Sequence, residues 1–340
     1  MKIWIDILTP KQLVFSEYLI QKLSKNHDIL CTSRSYNEVS KLSQIRKFNL
    51  IFVGKHGGDQ KSSKLDAHID RMKKLFPLIT KFSPDLTISF CSPEAARISF
   101  GLAIKHVAFC DSPHADAVMR LTLPLIQKLL IPWIIPKIEF KKYGIESKNI
   151  IQYKAIDAVL TIKRQTVKKQ SLHFKKSGKK RILIRMDEEQ AAYLSKSTKI
   201  VPIIKKIIDE FSDENIIILG RYSEQIKKLK SLFGGRPQIL KMSYDGKSLL
   251  ENIDVFIGSG GTMTAESALL GVPTISYNAV PNIVENYLVK NSLVKRETNP
   301  QKIVKIIKKY IESSDDEIKK RAKKISRQME DPVEKLLEII

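Results

Sequence analysis

The residues with the clearest chemical character lie in 253–277, IDVFIGSGGTMTAESALLGVPTISY. Residues 254–257 read as a strand and Gly258, Ser259, Gly260 and Gly261 as a tight turn. Thr262 then caps a helix over 263–270, which Gly271 ends before Pro273 opens the next strand. Glycines lack a Cβ, so their backbone N–H groups approach an anion closely, and the positive end of the helix holds phosphate. The run is not the dinucleotide G-x-G-x-x-G, because Met263 stands in the third glycine position, and it has no P-loop lysine. Glu266 follows in the helix. With Thr262 as the cap, a capping box needs its acid at Ala265, so capping does not explain Glu266. A carboxylate there accepts hydrogen bonds from both hydroxyls of a ribose while the turn holds a diphosphate.

Ligands in open parallel sheets sit beyond the carboxyl ends of the strands. Asp6, His56, Asp111, His114, Arg185 and Arg221 lie at or just past such ends. The loop CDSPHAD sets His114 between Asp111 and Asp116, and a histidine beside a carboxylate is held in one tautomer and takes a proton from a hydroxyl near neutral pH. His56 has Asp59 beside it in a glycine turn, a weaker pair with one acid. Arg185 and Arg221 are placed to neutralise a departing diphosphate. There is no D-x-D metal motif, and Cys31, Cys91 and Cys110 form no C-x-x-C pair, so neither a metal site nor a disulfide framework is indicated.

These residues need strands and helices to position them, and the chain supplies an alternating series. Residues 2–7, 28–32, 50–53, 85–90 and 106–110 are short apolar runs with helical segments between most of them. The rhythm restarts at 181–185, 215–219, 238–240, 254–257 and 273–277. Continuous apolar strands fit a sheet covered on both faces, so the fold class is α/β with two doubly wound, Rossmann-like domains in tandem. Residues 161–181 hold nine lysines or arginines and no acid, which marks a linker or exposed loop. Residues 117–140 are apolar but broken by Pro124, Pro132 and Pro136. They either pack in the core or show an apolar face, flanked by Arg120, Lys128 and Lys137, to a membrane surface.

With 340 residues, 43% of them apolar, the chain has enough apolar material for two cores, and 28% charged residues with 14 glycines and 14 prolines exclude a disordered or collagen-like chain. No apolar run reaches the ~18 residues of a membrane span, and the first residues read as a strand rather than a signal peptide. That places the chain in the cytoplasm, with peripheral attachment to the inner membrane face where an acceptor is lipid-linked. The 59 Lys and Arg against 36 Asp and Glu, a net charge of +23, favour anionic partners. An anionic membrane and phosphorylated small molecules qualify. Nucleic acid is disfavoured, because Phe174, the one aromatic of the basic run, is a poor platform for stacking several bases.

Ser259, Gly260 and Glu266, followed by Gly271 and Pro273, resemble the donor-nucleotide motif of the GT-B superfamily. That superfamily includes the peptidoglycan N-acetylglucosaminyltransferase and the non-hydrolysing UDP-N-acetylglucosamine 2-epimerase. The whole chain is similar to the family catalogued as domain of unknown function 354, through KIWIDI, VGKHGG, SPEAARISFGL, SPHADAVMRLTLPL and the glycine-turn block. The resemblance implies a GT-B architecture with an interdomain cleft. Residues 1–160 would form the acceptor domain, joined by a final helix over 331–340, and 161–330 the nucleotide-sugar domain. It implies a glycosyltransferase with the nucleotide sugar as substrate and no separate cofactor. Gly258, Ser259, Gly260, Gly261, Thr262, Glu266, Arg185 and Arg221 would hold the donor, and Asp111, His114 and Asp116 would do the acid–base work. Two rivals stand beside this reading, a nucleotide-sugar 2-epimerase and a non-catalytic basic binding protein. The epimerase is weakened because Cys91, Ser92 and Pro93 stand where its elimination chemistry calls for an acid. Thr9, Pro10, Lys11 and Gln12 replace the histidine-containing first turn of relatives, which leaves the first loop without an assigned role.

Overall fold

The computed structural model describes residues 1–58, 60–164, 177–186, 200–220, 223–241, 245–277, 282–313 and 316–340. The chain divides into two compact units, Met1–Thr161 with Met329–Ile340, and Ile162–Gln328.

The first unit is built on β1 (Lys2–Asp6), β2 (Asp28–Ser35), β3 (Ile51–Lys55), β4 (Leu86–Ser89), β5 (Lys105–Phe109), β6 (Lys128–Pro132) and β7 (Ile150–Tyr153). All its pairings are parallel, in the order β3-β2-β1-β4-β5-β6-β7. The order reverses between β1 and β4, which makes their carboxyl ends the crevice where ligands bind in such sheets. The crossovers carry α1 (Pro10–Leu23), α2 (Asn37–Ile45), α3 (Lys61–Phe82), α4 (Pro93–Gly101) and α5 (Asp116–Thr122). Short helices α6 (Ile138–Lys141) and α7 (Ala158–Lys163) follow. In α1, Pro10 occupies the first turn and Thr9 caps it by accepting from the Gln12 amide, while Gln12 Oε1 accepts from the Leu8 amide at 2.6 Å. Lys11 is thereby fixed at the start of the helix. Phe15 of α1 meets Phe90 and Phe109 edge-on at 4.7 and 4.8 Å, tying the helix to β4 and β5.

The second unit holds β8 (Arg181–Arg185), β9 (Asn215–Gly220), β10 (Gln238–Lys241), β11 (Val255–Gly258), β12 (Thr274–Ser276) and β13 (Lys295–Arg296). Its order is β10-β9-β8-β11-β12-β13, again all parallel, with the reversal between β8 and β11. Helices α8 (Ile200–Glu210), α9 (Ser223–Phe233), α10 (Gly246–Leu250) and α11 (Thr262–Leu269) cross over. Then come α12 (Ile283–Lys290), α13 (Pro300–Glu312) and α14 (Asp316–Arg327). Ile200, Ile203, Ile204, Ile207 and Ile208 recur at helical spacing and put one face of α8 against Ile182, Ile184, Ile216 and Ile218 of the sheet. The chain ends in α15 (Pro332–Leu337), which belongs to the first unit. Val333 and Leu336 are buried there, Lys22 pairs with Glu334, and the Lys154 amide donates to Glu330 at 2.6 Å.

The two parallel α/β sheets expected from the sequence are present, and three strands were not anticipated. β6 lies inside the proline-broken stretch 117–140, where Pro132 ends the strand instead of preventing it. β7 and β13 are too short to stand out as apolar runs. Ile126, Leu129, Leu130, Ile131, Ile135 and Phe140 are buried, so 117–140 packs in the core, leaving Leu121 and Ile138 exposed. Among the described residues no helix is long and apolar enough to cross a membrane. The basic run 161–181 lies largely outside the described residues.

His106 in β5 is wholly buried, with Nε2 at 2.9 Å from Ser89 Oγ, and burial pushes its imidazole down from 6.5 to about 3. The unfolded chain therefore takes up a proton below pH 6.5 that the folded chain refuses until about pH 3. Stability present at neutral pH is lost as pH falls through that window, by about 1.4 kcal/mol per unit. In urea unfolding between pH 6 and 4.5, His106→Gln is expected to show a slope of stability against pH shallower by about one proton. Equal slopes would mean that His106 carries its charge in the native state.

Candidate functional site

The glycine turn sits at the reversal point of the second sheet, where β11 ends. Gly258 is buried so tightly that a Cβ would come within 2.6 Å of Thr264 Oγ1 and the Phe256 ring. Gly260 has φ +96°, a conformation open to glycine, and a Cβ there would stand 3.0 Å from the Glu285 carboxyl carbon. The Gly260 amide donates to Thr264 Oγ1 at 3.2 Å and its carbonyl accepts from Asn282 Nδ2 at 2.9 Å. Asn282 also caps α12 by accepting from the Glu285 amide at 2.8 Å. Glu285 is fully buried and bound by Arg296 at 3.0 Å. Side chains thus lock the inner side of the turn. The amides of Gly261, Thr262 and Met263 make no hydrogen bond among the described residues, as expected for the first positions of a helix.

One boundary differs from the sequence reading. Gly261 is the N-cap and Thr262 the first helical residue, because Thr264 rather than Thr262 turns back to the loop. Glu266 therefore lies a full turn into α11, further from a capping position than expected. Its Oε2 is 3.7 Å from the point a Cβ on Gly246 would occupy, at the start of α10. Asp245 caps that helix through the Ser248 amide at 3.1 Å and pairs with Arg164 at 2.8 Å. Arg185 ends β8 at 6% exposure, and its Nη1 donates to the Leu219 carbonyl at 3.2 Å. Arg221 lies outside the described residues.

In the first unit, Asp111 and Lys11 meet just beyond the carboxyl end of β5. Lys11 Nζ pairs with Asp111 and, at 2.6 Å, with Asp157, while Tyr153 Oη donates to the other oxygen of Asp157. Burial alone would raise the Asp111 carboxyl, but the Lys11 charge and hydrogen bonds from Lys11 and Ser112 hold it below the usual carboxylate range. Asp157, 2% exposed, is pushed up by burial and by Asp111 against the pull of Lys11. The two acids around one ammonium are driven apart. His114 is exposed and lies near enough to Asp111 to add to the lowering of its carboxyl. Asp116 is not drawn in: it is exposed and bound to Arg120 at 2.8 Å on its own helix.

A second charged group fills the reversal point itself. Arg71 donates Nη2 and Nη1 to Asp6 at 2.6 and 3.1 Å and Nε to the Val53 carbonyl at 3.1 Å. Thr32 and Ser92 each donate to Asp6 at 2.6 Å. Glu94 lies 3.6 Å from Arg71 and 3.4 Å from His68; against its burial, these partners hold its carboxyl at about 2. Glu94, the first acid after 91–93, is thus taken up by Arg71 and His68. His56 stacks on Tyr36 at 5.2 Å, accepts from the Gly58 amide at 3.1 Å, and lines a cavity of about 610 Å³ with Lys55, Ser62, Ser63 and Asp66. Its expected partner Asp59 lies outside the described residues.

The sequence reading missed Lys11, Tyr153 and Asp157 in the first unit and Asn282, Glu285 and Arg296 in the second. Asn282 followed by an acid at Glu285 before an apolar run was a legible capping signal.

The chain is similar over its full length to several known proteins. An uncharacterized protein of Methanocaldococcus jannaschii, MJ0665, is 28% identical, covering 99% of this chain and 96% of its own. The UDP-GlcNAc 2-epimerase of Neisseria meningitidis, solved with UDP-GlcNAc, superposes with a TM-score of 0.73 at 16% identity over 99% of this chain and 100% of that one. The UDP-GlcNAc 2-epimerase of M. jannaschii gives 0.68 at 14% identity over 100% and 99% of the two chains. The spinosyn rhamnosyltransferase SpnG gives 0.61 at 12% identity over the whole of both. At these identities the likeness shows the fold, which is GT-B. The model of the family described as protein of unknown function (DUF354) matches residues 1–340, and this chain belongs to that family.

Proposed function

We propose that the chain is a GT-B glycosyltransferase whose Ile162–Gln328 unit holds a nucleoside diphosphate sugar and whose Met1–Thr161 unit binds the acceptor. The observation that carries the reading is the turn at 258–262, with inner atoms locked by Thr264, Asn282 and Glu285 and the outer amides of Gly261, Thr262 and Met263 left for an anion. Glu266 takes the ribose hydroxyls, and Arg185 with the start of α11 stabilises the diphosphate as it leaves. The nucleotide sugar is the substrate, and no cofactor is called for.

In the first unit Lys11 weakens Asp111 as a base, so proton abstraction falls to His114, with Asp111 orienting it and stabilising its charged form. Asp116 drops out of the mechanism, since Arg120 occupies it. A second reading, 2-epimerisation of the nucleotide sugar, is favoured by the closer superposition on the epimerases and by the opposed shifts of Asp111 and Asp157. Incubation with UDP-GlcNAc alone separates the two: a new isomer in the proton NMR spectrum replaces the transferase reading by the epimerase one.

Calorimetric titration with UDP is expected to show Glu266→Ala weaker by about 1.5–3 kcal/mol, the range for hydrogen bonds to a charged group. Equal affinities would remove Glu266 from the nucleotide site. His114→Ala is expected to lose about 10² to 10⁴ in transfer rate with UDP affinity unchanged, and a loss below about tenfold would exclude it as the base. The charge of +23 supports an anionic acceptor, with a lipid-linked acceptor on an anionic membrane as its most specific form. Co-sedimentation with anionic but not neutral liposomes, weakened by salt, is the expected result. A protein left in the supernatant by both at low salt has a soluble acceptor.

A further inference from the structure

Helix α3 packs on the edge strand β3 through Ala67, Arg71, Leu75 and Ile79. A second apolar row runs beside that face. Leu65, Ile69, Met72 and Phe76 recur at spacings of four, three and four, and Leu65, Ile69 and Phe76 are 60%, 58% and 53% exposed. This is the spacing of a coiled-coil seam, with Leu65 and Met72 in d positions and Ile69 and Phe76 in a positions. An exposed row of large apolar side chains at regular spacing marks an interaction surface rather than scattered surface residues.

The charges beside the row say what covers it. Asp66 and Lys73 occupy the two e positions on its solvent flank, one turn-pair apart. Neither makes an ion pair among the described residues. In an antiparallel helix pair, layers join a to d and the flanking e positions face each other. A copy of α3 rotated about a two-fold axis between residues 70 and 71 therefore sets Leu65 against Phe76 and Ile69 against Met72. It also brings Asp66 of each copy to Lys73 of the other. The row is complementary to itself, as a two-fold interface requires. We infer that α3 is the dimerisation helix of this protein, pairing antiparallel with α3 of a second copy. The seam spans about 16 Å at 1.5 Å per residue. That length is short for a stable interface, and Ile51 of β3, 43% exposed and on the same sheet face as Val53, adds apolar area on the strand beneath.

Sedimentation velocity of the full chain from about 1 to 100 µM, a range set by ordinary dimer affinities, tests the inference. The expected species has twice the 38.8 kDa of one chain. Ile69→Glu, at an exposed position, is expected to keep the melting temperature of the separate subunit and to raise the dimer dissociation constant at least about 100-fold, by burying an unpaired charge. Asp66→Lys and Lys73→Asp should each weaken the dimer roughly tenfold, since each replaces two opposite-charge contacts by repulsion. An equal mixture of those two variants regains the wild-type affinity, because both flanking contacts of the mixed dimer then join a lysine of one variant to an aspartate of the other. A wild-type chain that stays monomeric, a dimer indifferent to Ile69→Glu, or a mixture no tighter than the single variants overturns the inference.

Discussion

The ion pair between Asp6 and Arg71 is the constraint on which the first unit turns. Both groups are almost fully buried, at 1% and 0% exposure, where each charge would be costly alone. Burial opposes the Arg71 charge, and Asp6 more than restores it. The pair draws β1, β2, β3, α3 and α4 to one point, because Thr32, the Val53 carbonyl, Ser92 and Glu94 supply the remaining hydrogen bonds and charge. Gly54 is required beside it: φ is +71°, and a Cβ would press to 2.9 Å on Arg71 Cβ. Removing either partner of such a pair typically costs about 3–5 kcal/mol, because the other charge is left uncompensated. The reversal point of the sheet, where a ligand crevice is expected, is in this unit filled by the protein's own charges.

The fold was legible because parallel strands covered on both faces read as continuous apolar runs, and ten of them stand in the sequence with helices between most of them. β6 was hidden by prolines that read as breakers, although Pro132 sits at the strand's end where its missing N–H costs nothing. The glycine turn was legible for a different reason. Its geometry depends on residue types within one short segment, so spacing alone carries the signal. The charged cluster beyond β5 was only half legible, since Lys11 reaches Asp111 across a hundred residues and Asp157 from further still. No local pattern records that a lysine after Pro10 ends between two aspartates. Nor does a local pattern record that Asp116, a second acid beside His114 in sequence, pairs with Arg120 one turn along α5.

Lys11 also changes what the acids can do. Two carboxylates sharing one ammonium do not titrate alike when their burial differs. Asp111, a quarter exposed, keeps its charge, and Asp157, 2% exposed, is pushed up by burial and by Asp111 against the pull of Lys11 and of the Tyr153 hydroxyl. Environments that push a pair apart are how one site holds an ionised group and a proton-carrying group at the same pH. Here the ionised member is the accessible one, which suits it to orienting and electrostatic work rather than to taking a proton itself.

The two reversal points are thus built in opposite ways. In the first unit the polar groups at the carboxyl ends of β1 and β4 satisfy one another, and a ligand could enter only by breaking the Asp6, Arg71 and Glu94 contacts. The partly exposed charged groups of that unit lie to the side, beyond β5, where Lys11, Asp111 and His114 stand. In the second unit, Thr264 and Asn282 secure Gly260, and the backbone amides at the start of α11 make no hydrogen bond among the described residues. An anion there would gain hydrogen bonds from those amides, while at the reversal point of the first unit it would have to compete with two carboxylates. On the arrangement of donors and acceptors alone, an anion meets less competition at the turn of the second unit than at the reversal point of the first.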